Sequence, residues 1–503
     1  MARRARSKPS TPRATHYTQL RNRFPQAEVF SADELAHIHA SALRVLSELG
    51  IKVLLPEGRA LFKRAGAKVD EDTMMVFLDA DMVADHIAKA PSEFSLRTDN
   101  PKRTIHMGGT HVNFSPSGGC PNVTDMTRGR RPGDMASFRD LMKLSQEWDV
   151  IAKLSSSIEP QDVPVHLRHY ATMRAQLELS DKLPFIYARG HRQVVDGFEM
   201  LALARGLDIE DLPNHLLTQT VINSNSPRQL DIPMTRGIID FASYGQPIVM
   251  TPFCLSGAMA PITIAGALTL SHAEALAGIT LAQIVKPGVP VIYGAFSSNV
   301  DMKSGAPAFG TPEHFKTNIG AGQLARLINI PWRSGAGSAS NAPDVQATYE
   351  NMIGLMGALM GHSHVIYHAA GWLEGGLTVS YEKWVIDCEI LQGLAEAMQQ
   401  VPVDDAHIGL DAIAQVQPGG HFFETAQTME RYQDAFYSPF LSDLSNFGQW
   451  TEAGSKTATQ RAHEIWQQKL KDFQPPAFPQ DRMEAIDAFV AKRTEQGGAP
   501  IDE

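Results

Sequence analysis

Aromatic, guanidinium, amide and imidazole side chains follow a series of short apolar runs along the chain. The set comprises Phe114, Tyr187, Arg189, Phe253, Phe296, Asn299, Arg333, Tyr367 and His368, with Trp372 close behind. The faces of aromatic rings attract a cation, and a quaternary ammonium ion loses less hydration than a primary amine on entering such a pocket. Arg189 or Arg333 could hold a carboxylate through two parallel hydrogen bonds. These residue types predict a binding site for a quaternary amine, although rings also fill cores and arginines also form ion pairs at rims.

The same positions are poor in acids, which argues against several kinds of catalytic site. Glu159 and Asp301 are the nearest carboxylates, and no pair of acids converges as in a glycosidase. The G-x-S-x-G motif is absent, and no cysteine has a recognisable partner base. We therefore predict neither a catalytic side chain that forms a covalent intermediate nor a bound metal.

Three histidines leave one alternative open. His362, His364 and His368 have the spacing that places side chains on one face of a strand. A metal-dependent barrel lyase or hydrolase would use such a face. Because no fourth ligand is nearby, a polar pocket wall is the favoured role of His368.

The elements that must position these residues repeat along the chain. Short apolar or β-rich runs, separated by helical segments, recur about every 31 to 44 residues and begin near positions 111, 152, 185, 216, 247, 291, 331 and 365. Alternating strands and helices predict a parallel sheet, and eight such units favour closure into a (β/α)₈ TIM barrel over residues 106–400. An open doubly wound sheet is the alternative, but 335–337 lacks the third glycine of a dinucleotide fingerprint.

Helical segments flank the predicted barrel. Residues 1–30 are interpreted as a flexible tail, 31–105 as an N-terminal helical segment and 401–503 as a C-terminal helical extension that packs on the barrel or on a neighbouring subunit. Ser31 and Glu34 have the spacing of a capping box, and Gly50 would end the helix that follows.

Composition narrows the possible partners and compartments. The formal net charge of −10 argues against a nucleic-acid partner. No uninterrupted apolar run is long enough to span a membrane. Cys120, Cys254 and Cys388 are odd in number and widely separated, which fits a reducing, cytoplasmic compartment.

Several motifs of the chain resemble those of the trimethylamine methyltransferase family, and most closely its members that lack pyrrolysine. The matching stretches are VNF at 112–114, TDMTR at 124–128, VMTPFCLSG at 249–257, MAP at 259–261, SG at 334–335 with SNAPDVQATYE at 340–350, YHAAG at 367–371, LTVSYE at 377–382, VID at 385–387 and GGHFF at 419–423. The resemblance implies a TIM barrel and transfer of a methyl group from an amine to the Co(I) of a separate corrinoid protein.

The resemblance also implies a substrate class. Trimethylamine enzymes of the family carry pyrrolysine just before a Pro-Asp pair, whereas this chain has only the standard residues Ser340, Asn341 and Ala342 there. A quaternary ammonium releases a neutral amine without protonation, so it needs no such special residue. Glycine betaine is the first expectation, and carnitine, proline betaine and choline remain open.

The implied cofactor is cobalamin carried by the partner, with none bound tightly by this chain, and a homo-oligomer is expected. A betaine-binding module without catalysis is the remaining alternative.

Overall fold

The computed structural model describes residues 17–500. Within that range, the chain before the central sheet forms α1 (Ala32–Arg44), β1 (Ile51–Val53), α2 (Pro56–Arg64), β2 (Lys68–Asp70), β3 (Met75–Phe77), α3 (Ala80–Ile87), β4 (Phe94–Leu96) and β5 (Ile105–Met107). The predicted capping box is confirmed, because the Ser31 hydroxyl and the Glu34 carboxylate each accept a backbone N–H of the other residue. A π-helical turn, Val45–Leu49, follows α1 and ends at Gly50, whose φ is 68°.

Strands and helices alternate through the middle of the chain. The elements are β6 (Asn113–Phe114), β7 (Asn122–Thr124), β8 (Arg131–Pro132), α4 (Met135–Glu147), α5 (Val165–Leu179), α6 (His191–Arg205), β9 (Thr220–Ile222), β10 (Gln229–Leu230), α7 (Ile232–Ser243), β11 (Ile248–Met250), α8 (Ile264–Val285), β12 (Val291–Gly294), β13 (Asn299–Val300), β14 (Pro307–Ala308), α9 (Pro312–Leu327), β15 (Trp332–Gly335), α10 (Val345–Met360), β16 (Val365–Tyr367), β17 (Trp372–Leu373), β18 (Thr378–Ser380) and α11 (Tyr381–Ala397).

Six of these strands form one curled parallel sheet in the order β6-β16-β15-β12-β11-β9. Isolated parallel bridges continue the pairing from Phe114 to Ile151, from Lys153 to Leu183 and from Phe185 to Gln219, which directly precedes β9. The eight predicted strand positions all lie in this arrangement. Six of them are strands, and the runs near 152 and 185 are segments paired by single bridges.

A hairpin closes the N-terminal end of the sheet. β4 pairs antiparallel with β5, and the N–H of Arg97 donates to the carbonyl of Leu216 just before β9. The hairpin side chains pack against inward-facing apolar residues from four segments of the sheet, which are Leu183, Val249, Ile292 and Val365. This apolar layer leaves the opposite, C-terminal end of the sheet for polar side chains.

The connections at the C-terminal end carry small sheets of their own. β17, β18, β7 and β8 form one in the order β17-β18-β7-β8, and β13 pairs with β14. The loops that surround a site at this end are therefore tied to regular structure.

Beyond residue 400, the described chain is helical. It forms α12 (Asp405–Ile408), α13 (Leu410–Gln415), α14 (Ala426–Arg431), α15 (Phe447–Glu452), α16 (Ala458–Asp472) and α17 (Gln480–Glu495). α16 packs on α11 and α4, and α17 packs on α5 and α6.

Two predictions about the N-terminal region need correction. The flexible tail predicted over 1–30 does not extend through 17–30, because Tyr17 and Leu20 are buried and the Asn22 side chain donates to the carbonyl of Leu359. Residues 1–16 lie outside the described range. The segment predicted as helical over 31–105 also contains five strands, each only three residues long and thus too short to show a period of two.

One described helix, α8, is long and apolar enough to cross a membrane by length and composition. Its most apolar window is 78% buried inside the protein, as is usual for a core helix.

Candidate functional site

Polar and aromatic side chains from four segments of the central sheet meet inside its C-terminal end. The Nζ of Lys153 donates to the Tyr367 hydroxyl at 3.2 Å, and the Nε2 of Gln219 donates to the same oxygen at 2.7 Å. The Arg333 guanidinium lies 4.6 Å from the centroid of the Tyr367 ring. These four side chains form the polar floor of the site, and all are buried.

Arg333 fixes the tautomer of His368. Its Nη2 lies 3.0 Å from the Nε2 of His368, and a guanidinium can only donate. The imidazole therefore accepts at Nε2 and carries its proton on Nδ1. Burial, followed by the charges of Arg333 and Lys153, holds the pKa of His368 well below its usual value, so the ring is neutral.

Several buried donors around Arg333 have no hydrogen-bond partner among the described residues. They are the Nε and Nη1 of Arg333, the Nδ1 of His368 and the Nε1 of Trp372. The rings of His368 and Trp372 are 3.8 Å apart, so these donors belong to one group. Unsatisfied buried donors cost about 1–3 kcal/mol each, and more when charged. A ligand rich in acceptors would satisfy them.

Aromatic rings form the wall beside these donors. Phe296 lies 5.4 Å from Phe253, 5.1 Å from Phe309 and 4.9 Å from His368 between ring centroids. The Arg333 guanidinium lies 4.9 Å from the Phe296 centroid. The site thus places ring faces directly next to a buried cation.

The site has an excess of positive charge. Within residues 17–500, no carboxylate forms an ion pair with Lys153 or Arg333. Burial, together with the charge of Arg333, lowers the pKa of Lys153 to about 7, and burial lowers the pKa of Arg333 to about 10. At neutral pH, Arg333 is charged.

The loop after β15 is held by a buried carboxylate on α10. Glu350 accepts from the Ser338 hydroxyl at 2.6 Å and from the N–H groups of Ala339 and Ser340. This loop carries Gly337, whose φ is 111°, and a Cβ there would lie 2.5 Å from the Trp372 ring. The glycine lets the loop pass close to the site wall.

A second buried network ties the loops of the site together. The Asn351 side chain accepts from the N–H of Gly337 and donates to Asp387. Asp387 also accepts from the N–H of Gly371 and from the Lys383 ammonium at 2.7 Å. The two loops that flank Trp372 are therefore fixed to α10 and α11.

Tyr187 and Arg189 line a cavity of about 120 Å³, and Phe185, which also lines it, contacts both Tyr187 and Lys153. Arg189 pairs with Glu159 at 2.7 Å, and its guanidinium covers the Tyr187 ring at 4.0 Å. Glu159 also pairs with Arg168. Because Arg189 already has a carboxylate partner, Arg333 is better placed to bind a carboxylate from solution.

Two other predicted site residues have structural contacts. Phe114 is fully buried in the apolar cluster that includes Phe138 and Ile151. Asn299 accepts from the Thr311 hydroxyl and donates to the Val300 carbonyl, which stabilises the β13–β14 turn.

The three histidines of the metal alternative are not brought together. His362 lies against the Phe24 carbonyl, and His364 contacts the Trp332 N–H and the Gly109 carbonyl at the N-terminal end of β16. His368 lies beyond the other end of that strand with a φ of 59°. The described residues contain no group of three or more His, Cys, Asp or Glu side chains that could hold a metal ion.

Three members of the site, Lys153, Gln219 and Phe309, were not among the residues predicted from the sequence. A usable signal existed for Lys153, which is the one charged residue in the run IAKLSSS at 151–157. A lysine at an inward position of a barrel strand is a candidate functional residue.

Comparisons with known proteins identify relatives along nearly the whole chain. The family model for trimethylamine methyltransferase (MTTB) matches residues 1–498. Glycine betaine methyltransferase of Desulfitobacterium hafniense strain Y51 is 33% identical over 477 residues, which cover 94% of this chain and 98% of the relative. Trimethylamine methyltransferase MttB of Methanosarcina barkeri strain Fusaro is 30% identical over 478 residues, covering 93% and 95%.

A solved structure, that of the Methanosarcina barkeri monomethylamine methyltransferase MtmB, aligns with a TM-score of 0.45 and 11% identity, covering 91% of this chain and 97% of that one. The family match spans the whole central sheet and every residue of the site described above. The chain therefore belongs to the trimethylamine methyltransferase family.

Proposed function

We propose that the protein transfers a methyl group from a quaternary amine, glycine betaine, to the Co(I) of a separate corrinoid protein. Its family membership and its 33% identity to a glycine betaine methyltransferase support the reaction class. The standard residues at 340–342 support a substrate whose leaving group needs no protonation.

The observation that carries the proposal is the group of buried, unpartnered donors around Arg333. These donors call for an anion, and the carboxylate of a betaine supplies an acceptor oxygen for the Nε or the Nη1 of the guanidinium, which point in different directions. The Nδ1–H of the neutral His368, on the side of the ring away from Arg333, is a further donor without a partner among the described residues. A substrate without a carboxylate would leave these donors unsatisfied.

The aromatic wall suits the other end of the same molecule. Phe253, which is only partly buried, and the neighbouring Phe296 form an aromatic wall, and a ring face attracts a trimethylammonium group by about 1–2 kcal/mol in a dry site. Arg333 would repel an isolated cation at this position. The carboxylate removes that repulsion, so the zwitterion fits the charge of the site better than choline.

Chemistry then depends on alignment. A Co(I) corrinoid, when its carrier protein docks, supplies the nucleophile that accepts the methyl group. The rings and Arg333 hold the substrate still, exclude water and point one methyl group outward, which can lower a barrier by several kcal/mol. Dimethylglycine leaves as a neutral amine, so no side chain has to act as a general acid.

We also propose a closed barrel, a homo-oligomeric assembly and a cytoplasmic location for the protein. The parallel sheet and its three bridges support a closed (β/α)₈ barrel, whose C-terminal end would be the docking face for the corrinoid protein. Exposed apolar side chains beyond residue 400 support a homo-oligomer. The three buried free cysteines suit a cytoplasmic protein.

The test mixes the purified protein with a competent corrinoid protein reduced to Co(I), adds glycine betaine and follows the visible spectrum. The expected result is loss of the Co(I) absorption with one dimethylglycine formed per Co(I) consumed. Turnover only with carnitine or proline betaine would correct the substrate. Binding of betaine without any demethylation would favour the binding-module alternative.

A further inference from the structure

We propose that Lys153 is a second carboxylate-binding residue, which takes up a proton as the substrate binds and thereby selects betaines over uncharged or purely cationic amines. The inference rests on the proposed function, since it names a residue that recognises the substrate of that site. The placement of the Lys153 ammonium group, and no sequence motif, indicates this role.

The hydrogen bonding of Lys153 leaves one donor available. Its Nζ donates to the Leu154 carbonyl at 2.8 Å and to the Tyr367 hydroxyl at 3.2 Å. A protonated ammonium has three N–H groups, so one remains for a ligand. Gln219 holds the Tyr367 hydroxyl from the other direction, which keeps this arrangement in place.

Lys153 and Arg333 both lie next to the ring of Tyr367. Each cation lies 4.6 Å from the centroid of the Tyr367 ring, and Lys153 is completely buried. The titratable or charged groups that face it are Arg333 on β15 with Tyr367 and His368 on and just after β16, and none of them is an acid. Phe185 and Gln219 complete its surroundings without charge. A buried ammonium among such neighbours lacks a counter-ion that a carboxylate would supply.

Betaine binding and proton binding at Lys153 should favour each other, because of the groups that surround the ammonium. Burial and the nearby Arg333 lower the pKa of Lys153 to about 7 in the free protein. A bound carboxylate favours the charged form and raises that pKa. A Lys153 whose pKa is lowered in the free protein and raised by a bound carboxylate takes up protons from the buffer as glycine betaine binds. Choline offers no negative charge and should cause no uptake.

The experiment is calorimetric titration of the full-length protein with glycine betaine at pH 8 in two buffers of different ionisation heat. The difference between the two heats measures proton uptake. The wild-type protein should take up a large fraction of one proton per betaine. Lys153→Met should abolish the uptake and weaken betaine binding by about tenfold or more. Choline binding should not weaken in this variant.

Lys182→Met is the matched control. Lys182 is also fully buried with a pKa of about 7, but its ammonium donates to the carbonyls of Ser145 and Trp148 at the end of α4, away from the rings. This variant should retain wild-type betaine affinity and proton uptake. The wild-type measurement alone decides the matter if either variant does not fold.

Absence of proton uptake by the wild-type protein would overturn the inference, as would undiminished betaine affinity in Lys153→Met. A wild-type protein that binds no betaine would also overturn it. If methyl transfer proceeds but proton uptake and the loss of betaine affinity are absent, the inference about Lys153 fails and the proposed function stands. If they are present but no methyl is transferred, the proposed function fails and the role of Lys153 in recognition stands.

Discussion

At the residue scale, the site depends on a guanidinium buried without a counter-ion. Removing one partner of a buried ion pair usually destabilises a protein by about 3–5 kcal/mol. A buried Arg333 without a counter-ion therefore destabilises the fold unless a ligand supplies one. Its contacts with Phe296, Tyr367 and His368 hold it in one orientation. We interpret Arg333 as the anchor for the substrate.

Arg333→Met should lower kcat/KM for glycine betaine by more than about tenfold, because the guanidinium N–H groups that would donate to the carboxylate are lost. Steady-state kinetics with the corrinoid partner would measure this. Arg189→Met is the control, since Arg189 is paired with Glu159, and it should change kcat/KM by less than about threefold. Equal losses in both variants would contradict the assignment of Arg333.

Phe253→Ala should also lower kcat/KM by more than about tenfold, because a ring face is removed next to Phe296. Phe253→Tyr keeps the ring and should retain most of the activity. If the alanine variant matched the wild type, Phe253 would not belong to the ammonium wall.

Residue types alone identified part of this site. Phe253, Phe296, Arg333, Tyr367 and His368 were predicted and lie together, because Arg333 and Tyr367 belong to the neighbouring strands β15 and β16 and the other three follow strands of the same parallel sheet. Lys153 was missed although its run near 152 was predicted as a strand, because the sequence does not show which side chains of that run enter the site. Which arginine is free could not be predicted, since only the fold brings Glu159 to Arg189.

At the element scale, the loops of the site are positioned by buried polar groups on α10 and α11. Glu350, Asn351 and Asp387 together hold the backbone near Gly337 and Gly371. Secondary structure was well predicted where a local capping signal marks a helix, as for α1, which follows the capping box of Ser31 and Glu34. The five three-residue strands before residue 108 were missed because tertiary pairing, and no local pattern, defines them.

Gly337→Ala should reduce activity by about tenfold or more while leaving most of the fold intact, since the added Cβ would displace Trp372. Gly305→Ala is the matched control: its φ of 75° is also positive, but nothing lies within 4 Å of a Cβ there. Kinetics and near-ultraviolet circular dichroism of both variants would measure the effect. Full activity in Gly337→Ala would show that Trp372 need not hold this position.

Asp387→Asn should lower the free energy of unfolding by about 3–5 kcal/mol, because the buried Lys383 ammonium loses its carboxylate partner. Urea denaturation would measure the change. Glu48→Gln, which breaks an exposed pair with Arg44, should change the free energy of unfolding far less. A similar loss in both variants would argue against a buried network that fixes the site.

At the scale of the whole molecule, the segment 401–447 is unusual. Most of the large apolar side chains that are exposed in the described chain lie in it, including Val403, Phe423, Phe436, Leu444 and Phe447. Its helices are too short to be stable alone. A surface this apolar suits a permanent contact between copies of the chain better than a contact with a corrinoid protein, which must dissociate.

The protein should therefore be a homo-oligomer in solution, and the double variant Phe423→Asp and Phe436→Asp should dissociate it. Light scattering coupled to size-exclusion chromatography would give the mass. Leu49→Asp, at an exposed apolar residue elsewhere, should leave the assembly unchanged. A wild-type monomer would contradict the prediction.

The most direct measurement is a crystal structure of the protein with glycine betaine. The carboxylate should lie within hydrogen-bond distance of the Nε or the Nη1 of Arg333, with the trimethylammonium group against the wall of Phe253 and Phe296. A betaine bound instead in the cavity beside Tyr187 and Arg189, with the donors of Arg333 still unpaired, would contradict the account.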